Sequence, residues 1–130
     1  MRKIKAYYID PMNNIAEARE ITPCLDTYYE MLRCNTIDIV NRAIGRRGNV
    51  RFDIVCDDEG TFVDDPRISA IDDYGMPMLV GALLVIGQAD EEGEETSLTD
   101  KEIRHLQTCT EHLGTRKHPE GWKMLTQMRY

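Results

Sequence analysis

A chain of 130 residues with 42% hydrophobic and 30% charged residues is long enough for one buried core and too apolar to stay disordered. The net charge of -7 argues against nucleic acid as a partner, and four cysteines without any C-x-x-C spacing argue against a disulfide scaffold. The one long apolar run, residues 76–88, is too short for a membrane span, which takes about 20 apolar residues.

The charge is unevenly spread. Residues 1–52 hold nine Lys and Arg against six Asp and Glu, residues 53–102 hold two against fifteen, and residues 103–130 hold five against two. A segment of net charge -13 between two of +3 predicts one strongly negative face.

In chain order, residues 2–9 alternate charge with Ile4, Ala6 and Tyr8, which predicts an opening strand. The basic Met1-Arg2-Lys3-Ile4-Lys5 is followed by no apolar leader region, which predicts a cytoplasmic protein with free thiols. Asp10-Pro11-Met12-Asn13-Asn14 is a turn cluster, and residues 15–21 read as a charged edge strand. Thr22 and Pro23 are suited to N-cap and first helical position, and Leu25, Tyr28, Tyr29 and Leu32 then form one apolar stripe of a helix over residues 23–33.

Residues 37–44 and 50–56 predict a hairpin with Arg46 and Arg47 at its tip. Asp57-Asp58-Glu59-Gly60 is a turn, residues 61–63 a short return strand, and residues 68–74 are expected to be irregular. The acidic residues before Pro66 lack the ligand spacing of a calcium loop. The run at 76–88, bounded by Asp72-Asp73 and Asp90-Glu91-Glu92 and rich in Val80, Val85 and Ile86, reads as the central strand of the sheet, at residues 78–86.

Thr99 and Glu102 have capping-box spacing, so a helix is expected from there to about Leu113, ending at Gly114, with Ile103, Leu106, Thr110 and Leu113 buried. Residues 114–130 form a basic tail in which Pro119 could open a short docked helix bearing Trp122 and Leu125.

No nucleophile motif, P-loop or dinucleotide fingerprint is present, and the chain reads as a non-enzyme with no cofactor. His105, Cys109 and His112 recur at helical spacing, with His118 as a conceivable fourth ligand, but the spacing matches no zinc motif and no metal is expected. Asp38, between Ile37 and Ile39, is the one carboxylate worth testing for a general-acid role, and alternation places it on a solvated face.

The order of elements resembles a bacterial and phage family known as domain of unknown function 3846. The matching pieces are the strand ending at Asp10-Pro11, Glu20-Ile21 before the Leu25 to Leu32 helix, and Ile37-Asp38 after it. Further on come Cys56-Asp57-Asp58-Glu59-Gly60, Gly81-Ala82-Leu83-Leu84-Val85-Ile86-Gly87, and Ser97-Leu98-Thr99-Asp100. The chain departs from the family at Cys34-Asn35, where a glycine pair is usual, and at Asp65-Pro66-Arg67. The resemblance covers residues 3–113 and implies an accessory protein of a phage or conjugative element, with no catalytic residues to carry over.

The expectation is an α+β domain at residues 1–113, with a mostly antiparallel sheet and two main helices packed on it. Function is expected to be protein interaction through an acidic surface including Asp57, Asp58, Asp64 and Asp65, with a protein partner and neither nucleic acid nor membrane. The alternative is a small-molecule or nucleotide-binding domain with a pocket between sheet and helix, contacted by Tyr28, Arg51 and Arg67.

Overall fold

A computed structural model describes residues 2–45, 50–59, 67–72, 74, 76–112 and 122–125, the last four and residues 111–112 by their backbone path alone. The predicted hairpin tip, the return strand at 61–63, Asp64, Asp65, His118 and the helix stop at Gly114 lie outside the described residues.

The architecture is α+β. Five antiparallel strands form the main sheet in the order β2-β1-β7-β4-β3: β1 (Ile4–Asp10), β2 (Ile15–Ile21), β3 (Ile37–Ala43), β4 (Arg51–Asp57) and β7 (Leu83–Gly87). A second sheet has the order β6-β5-β9-β8, from β5 (Ile68–Ile71), β6 (Pro77–Val80), β8 (Thr110–His112) and β9 (Trp122–Leu125). Helices α1 (Leu25–Leu32) and α2 (Asp100–Thr108) complete the fold. No helix among the described residues is long and apolar enough to cross a membrane.

β7 sits at the centre with all five residues buried. Because side chains alternate along a strand, its two faces feed two separate cores. Leu83 and Val85 join Tyr7, Ile9, Phe52, Ile54 and Cys56 on one face, where Leu98, Ile103 and Leu106 of the α2 segment and Ala70 of β5 cover them. Leu84 and Ile86 join Ala6, Tyr8 and Val55 on the other, beneath Tyr28 and Leu32 of α1. A strand covered on both faces has no room for polar side chains, which explains why this segment is apolar throughout.

The apolar run is not one strand. Gly81 has φ +80, a conformation that glycine adopts freely, and its N–H donates to the Arg67 carbonyl at 2.8 Å. There the chain leaves β6 in the small sheet and enters β7 in the large one. Pro77 falls in β6, the edge strand of its sheet, where a missing N–H removes no ladder bond.

Four other expectations change. Helix α1 begins at Leu25 with Cys24 at the N-cap and no side-chain capping bond, so Thr22 does not cap it, and Leu25 itself is exposed. Residues 68–71, expected to be irregular, are strand β5, with Ser69, Ala70 and Ile71 buried. Helix α2 stops at Thr108, well before Leu113. The Cys109 N–H is shared between the His105 and Leu106 carbonyls, and the Thr110 hydroxyl donates to the Leu106 carbonyl at 2.7 Å, so the last turn is closed locally and Thr110 starts a strand. Trp122 and Leu125, expected on a helix, lie on β9, which pairs with β8 and runs parallel to β5.

The capping box forms as its spacing predicts. Glu102 N–H donates to Thr99 Oγ1 at 3.1 Å, and Thr99 N–H donates to Glu102 Oε1 at 2.9 Å. Thr99→Ala is therefore expected to lower stability by about 1 kcal/mol. Urea unfolding checks this: the midpoint should fall while the slope of stability against denaturant stays unchanged.

Candidate functional site

Among the described residues, the acidic segment divides between the two ends of the main sheet. Cys56 pairs with Leu83 and Phe52 with Gly87, so the two strands run in opposite directions. The turn after β4, with Asp57, Asp58 and Glu59, therefore sits at one end of the main sheet. The loop after β7, with Asp90, Glu91, Glu92, Glu94 and Glu95, sits at the other. There Arg2 reaches Glu94 at 3.6 Å and Glu95 at 3.5 Å, so part of this second cluster is compensated within the chain.

At the first end, Asp38 of β3 lies directly across from Cys56 and next to the pair of Ile37 with Asp57. Asp38, Asp58 and Glu59 are exposed and Asp57 is half-buried. Their combined field is felt by the neighbouring thiols. Cys56 is pushed up to about 11, first by burial and then by Asp38, Asp58 and Asp57, with Arg42 opposing. Cys34 is also raised, by burial and by Asp57. Of the expected interaction residues, Asp57 and Asp58 thus share one concentrated negative site. Asp38, whose Oδ1 accepts from the Ile39 N–H at 2.9 Å, is exposed to solvent and sits in no apolar pocket.

A second polar cluster at the same end has no counterpart in the sequence reading. Asp10 ends β1 with only 1% exposure, yet Arg33 holds it in a two-pronged ion pair: Nη1 donates to Oδ2 and Nη2 to Oδ1, both at 3.1 Å. The Asn13 amide donates to Oδ2 at 2.7 Å and the Met12 N–H to Oδ1 at 3.2 Å. The Tyr8 hydroxyl, 2.9 Å from the Met31 carbonyl and 3.4 Å from Asp10 Oδ2, closes the group, and Arg19 lies 4.7 Å from the centre of the Tyr8 ring. Burial works to raise the Asp10 carboxyl, but the Arg33 and Asn13 bonds outweigh it and hold the group below its ordinary value. Arg33 reaches the carboxylate because it caps α1 in the left-handed conformation, φ 53 and ψ 51. The cluster ties the α1 terminus to the β1–β2 turn. The only sequence signals are an Asp directly after the apolar Tyr7-Tyr8-Ile9 and an Arg just past a helix, 23 residues apart.

The helical trio is only partly assembled. Cys109 Sγ lies 3.8 Å from His105 Nε2, whereas His112 has passed into β8. No group of three or more metal-ligating side chains occurs among the described residues. His105 Nε2 is 2.6 Å from the Ile44 carbonyl, which only accepts, so that nitrogen carries a proton and cannot take one from Cys109. Burial also raises the Cys109 thiol, partly offset by the Thr108 hydroxyl. The pair is therefore not a thiolate–imidazole nucleophile. It packs instead, with the imidazole stacked on Phe52 at 6.2 Å between ring centres.

The three expected ligand contacts sit on three different elements. Tyr28, on the sheet-facing side of α1, is buried with its hydroxyl unpartnered among the described residues, and burial pushes it up to about 12. Arg51 is exposed at the start of β4 and donates to the Asn41 side chain and carbonyl. Arg67 precedes β5 and is half-buried. Two open clefts flank α2: one of about 330 Å³ lined by Lys5, Arg19, Glu20, Asp100 and Ile103 among others, and one of about 310 Å³ lined by Val50, Lys101, Glu102 and His105. Neither includes Tyr28, Arg51 or Arg67.

The family model described as domain of unknown function (DUF3846) matches residues 4–111. The chain belongs to this family. No curated protein and no solved structure matches it.

Two outcomes follow from this geometry. Because the Asp10 carboxyl is held below its ordinary value of 3.8, the unfolded chain binds the proton more readily. Its contribution to stability is complete above the unfolded value and is lost as pH falls through the lower folded value. Thermal unfolding from pH 6 to pH 2 should show this acid loss, and Asp10→Asn should flatten that part of the profile while lowering stability at neutral pH. Gly45, at φ +90, offers no space for a methyl group: an ideal Cβ would lie 2.8 Å from His105 Cε1 and 2.9 Å from Cys109 Sγ. Gly45→Ala is expected to cost roughly 2–4 kcal/mol, from overpacking plus the left-handed backbone, as read by denaturant unfolding.

Proposed function

We propose that this chain is a non-enzymatic protein-interaction module of a phage or conjugative element, binding a basic partner through the acidic end of its main sheet. The observation that carries this reading is the convergence of Asp57, Asp58 and Asp38 on one small area, where all three raise the Cys56 thiol. Crowded carboxylates at a sheet end steer and hold cationic surfaces, with a strength that falls as salt rises. Four free cysteines suit a reducing, cytoplasmic setting. The element-borne role rests on the resemblance of the family.

The second reading is a small-molecule or nucleotide binder. Its support is the 310 Å³ cleft where α2 meets the β4 end of the sheet, with His105, Lys101 and Glu102 as polar walls. That volume is at the lower end of ligand pockets, about 300–1,000 Å³, and the cleft is open to solvent.

Reversal of Asp57, Asp58, Asp64 and Asp65 to lysine tests the first reading. Proteins captured from host cells by the tagged wild-type chain should be lost on the variant and on the wild type at high salt. A capture profile unchanged by the reversal would sink the acidic-surface reading.

A further inference from the structure

β3 closes one edge of the main sheet, with no strand beyond it among the described residues. Its backbone alternates. Thr36 O accepts from Asp58 N–H, and Ile44 N–H donates to Val50 O, so even-numbered residues bond to β4. The N–H and C=O groups of Ile37, Ile39, Asn41 and Ala43 consequently point outward.

Two of these outward groups are capped by neighbouring side chains. The Ile39 N–H donates to Asp38 Oδ1 at 2.9 Å. The Asn41 carbonyl accepts from Arg42 Nη1 at 2.9 Å and from Arg51 Nη2 at 3.2 Å. Ile39, between the two caps, is 46% exposed, and Arg42 Nε has no hydrogen-bond partner among the described residues.

The order of residues along this edge is self-complementary. In an antiparallel pair of two β3 strands about a two-fold axis at Val40, Ile39 faces Asn41 of the second copy and Ile37 faces Ala43. Asp38 faces Arg42, twice. The register also respects the hydrogen bonding, because the outward groups of Ile39 and Asn41 are the ones brought together. The N–H now tied to Asp38 would bond to the carbonyl now tied to Arg42 and Arg51, displacing both. The released carboxylate and guanidinium would then meet across the strands, on the non-hydrogen-bonded pair where side chains are closest.

We propose that β3 is a self-association edge, on which two copies of this chain pair antiparallel about Val40 to form a continuous ten-stranded sheet. The occupant is a second copy because the Asp38–Arg42 spacing matches its own reversal, so the Asp38 and Arg42 caps of the free chain become ion pairs in the dimer. The other edge, β2, is less available. Its Arg19 already lies against the Tyr8 ring and pairs with Glu17 at 3.4 Å. This inference shares Asp38 with the acidic-surface reading, but its test concerns the purified chain alone, so either can fail without the other.

The test is sedimentation equilibrium of the full chain over a concentration series, with circular dichroism confirming that each variant is folded. Wild type should show a reversible monomer–dimer equilibrium. Asp38→Arg alone and Arg42→Asp alone each place like charges opposite one another at two points, and each should weaken the dimer by about tenfold or more. An equimolar mixture of the two single variants restores both attractions and should form heterodimers. The double variant, Asp38→Arg with Arg42→Asp, should dimerise as wild type does. A wild type that remains monomeric at the highest concentration overturns the proposal. So does a dimer that both single variants leave unchanged, which would place pairing on another surface such as β2.

Discussion

The constraint on which the rest of this structure depends is a central strand with no wet face. β7 contributes Leu83 and Val85 to one core and Leu84 and Ile86 to the other, all at most 1% exposed. A strand of that kind is stable only if something apolar lies on both sides of it. Helix α1 supplies one cover through Tyr28 and Leu32. The other cover is composite: Ile103 and Leu106 of α2, with Ala70 and Leu79 from the small sheet. The small sheet is thus part of the lid on the main one, and the turn at Gly81 lets a single apolar run supply both.

The same need for cover explains the buried ion pair. An eight-residue helix lying on a sheet is held weakly by its own hydrogen bonds, because isolated helices of that length are marginal in water. The Asp10–Arg33 pair fixes its last turn to the strand it covers, and the Tyr8 hydroxyl adds a bond to the Met31 carbonyl from the same strand. Asp10 is buried, so its charge would be costly alone; Arg33 keeps its own side chain half in water and so retains much of its hydration. The pair serves position more than net stability.

Local rules made part of this legible in the sequence. The capping box at Thr99 and Glu102, the strands β1 and β4, and the Tyr28 and Leu32 stripe depend on neighbours within a few residues and appear in the structure, but the alternation of β1 gives no wet face, because Lys5 alone is exposed along Ile4–Asp10. Features set by distant contacts were misread. Residues 68–71 are short and weakly patterned, and become a strand only through pairing with β6 and β9. Residues 122–125 followed a helical spacing that pairing with β8 overrode. The apolar run concealed its break because Gly81 reads equally as a strand residue until its φ is known.

Charge misled for a related reason. A net charge counted along the sequence becomes a surface only if the chain stays on one side, and an antiparallel sheet sends consecutive loops to opposite ends. The loops after β4 and β7 are both acidic, and counting along the sequence predicts one negative face for them, yet they lie at either end of the sheet. What concentrates charge here is adjacency across strands: Asp38 sits opposite Cys56, one position from Asp57, though 19 residues separate the two aspartates in the chain. The same cross-strand logic governs the free edge, where Asp38 and Arg42 stand at equal distances from Val40. Acidic character at this end and self-complementarity along β3 therefore share a residue. A partner that engages Asp57 and Asp58 would meet Asp38 either capping its own backbone or committed to a second copy, and pairing at β3 would change the field that partner experiences.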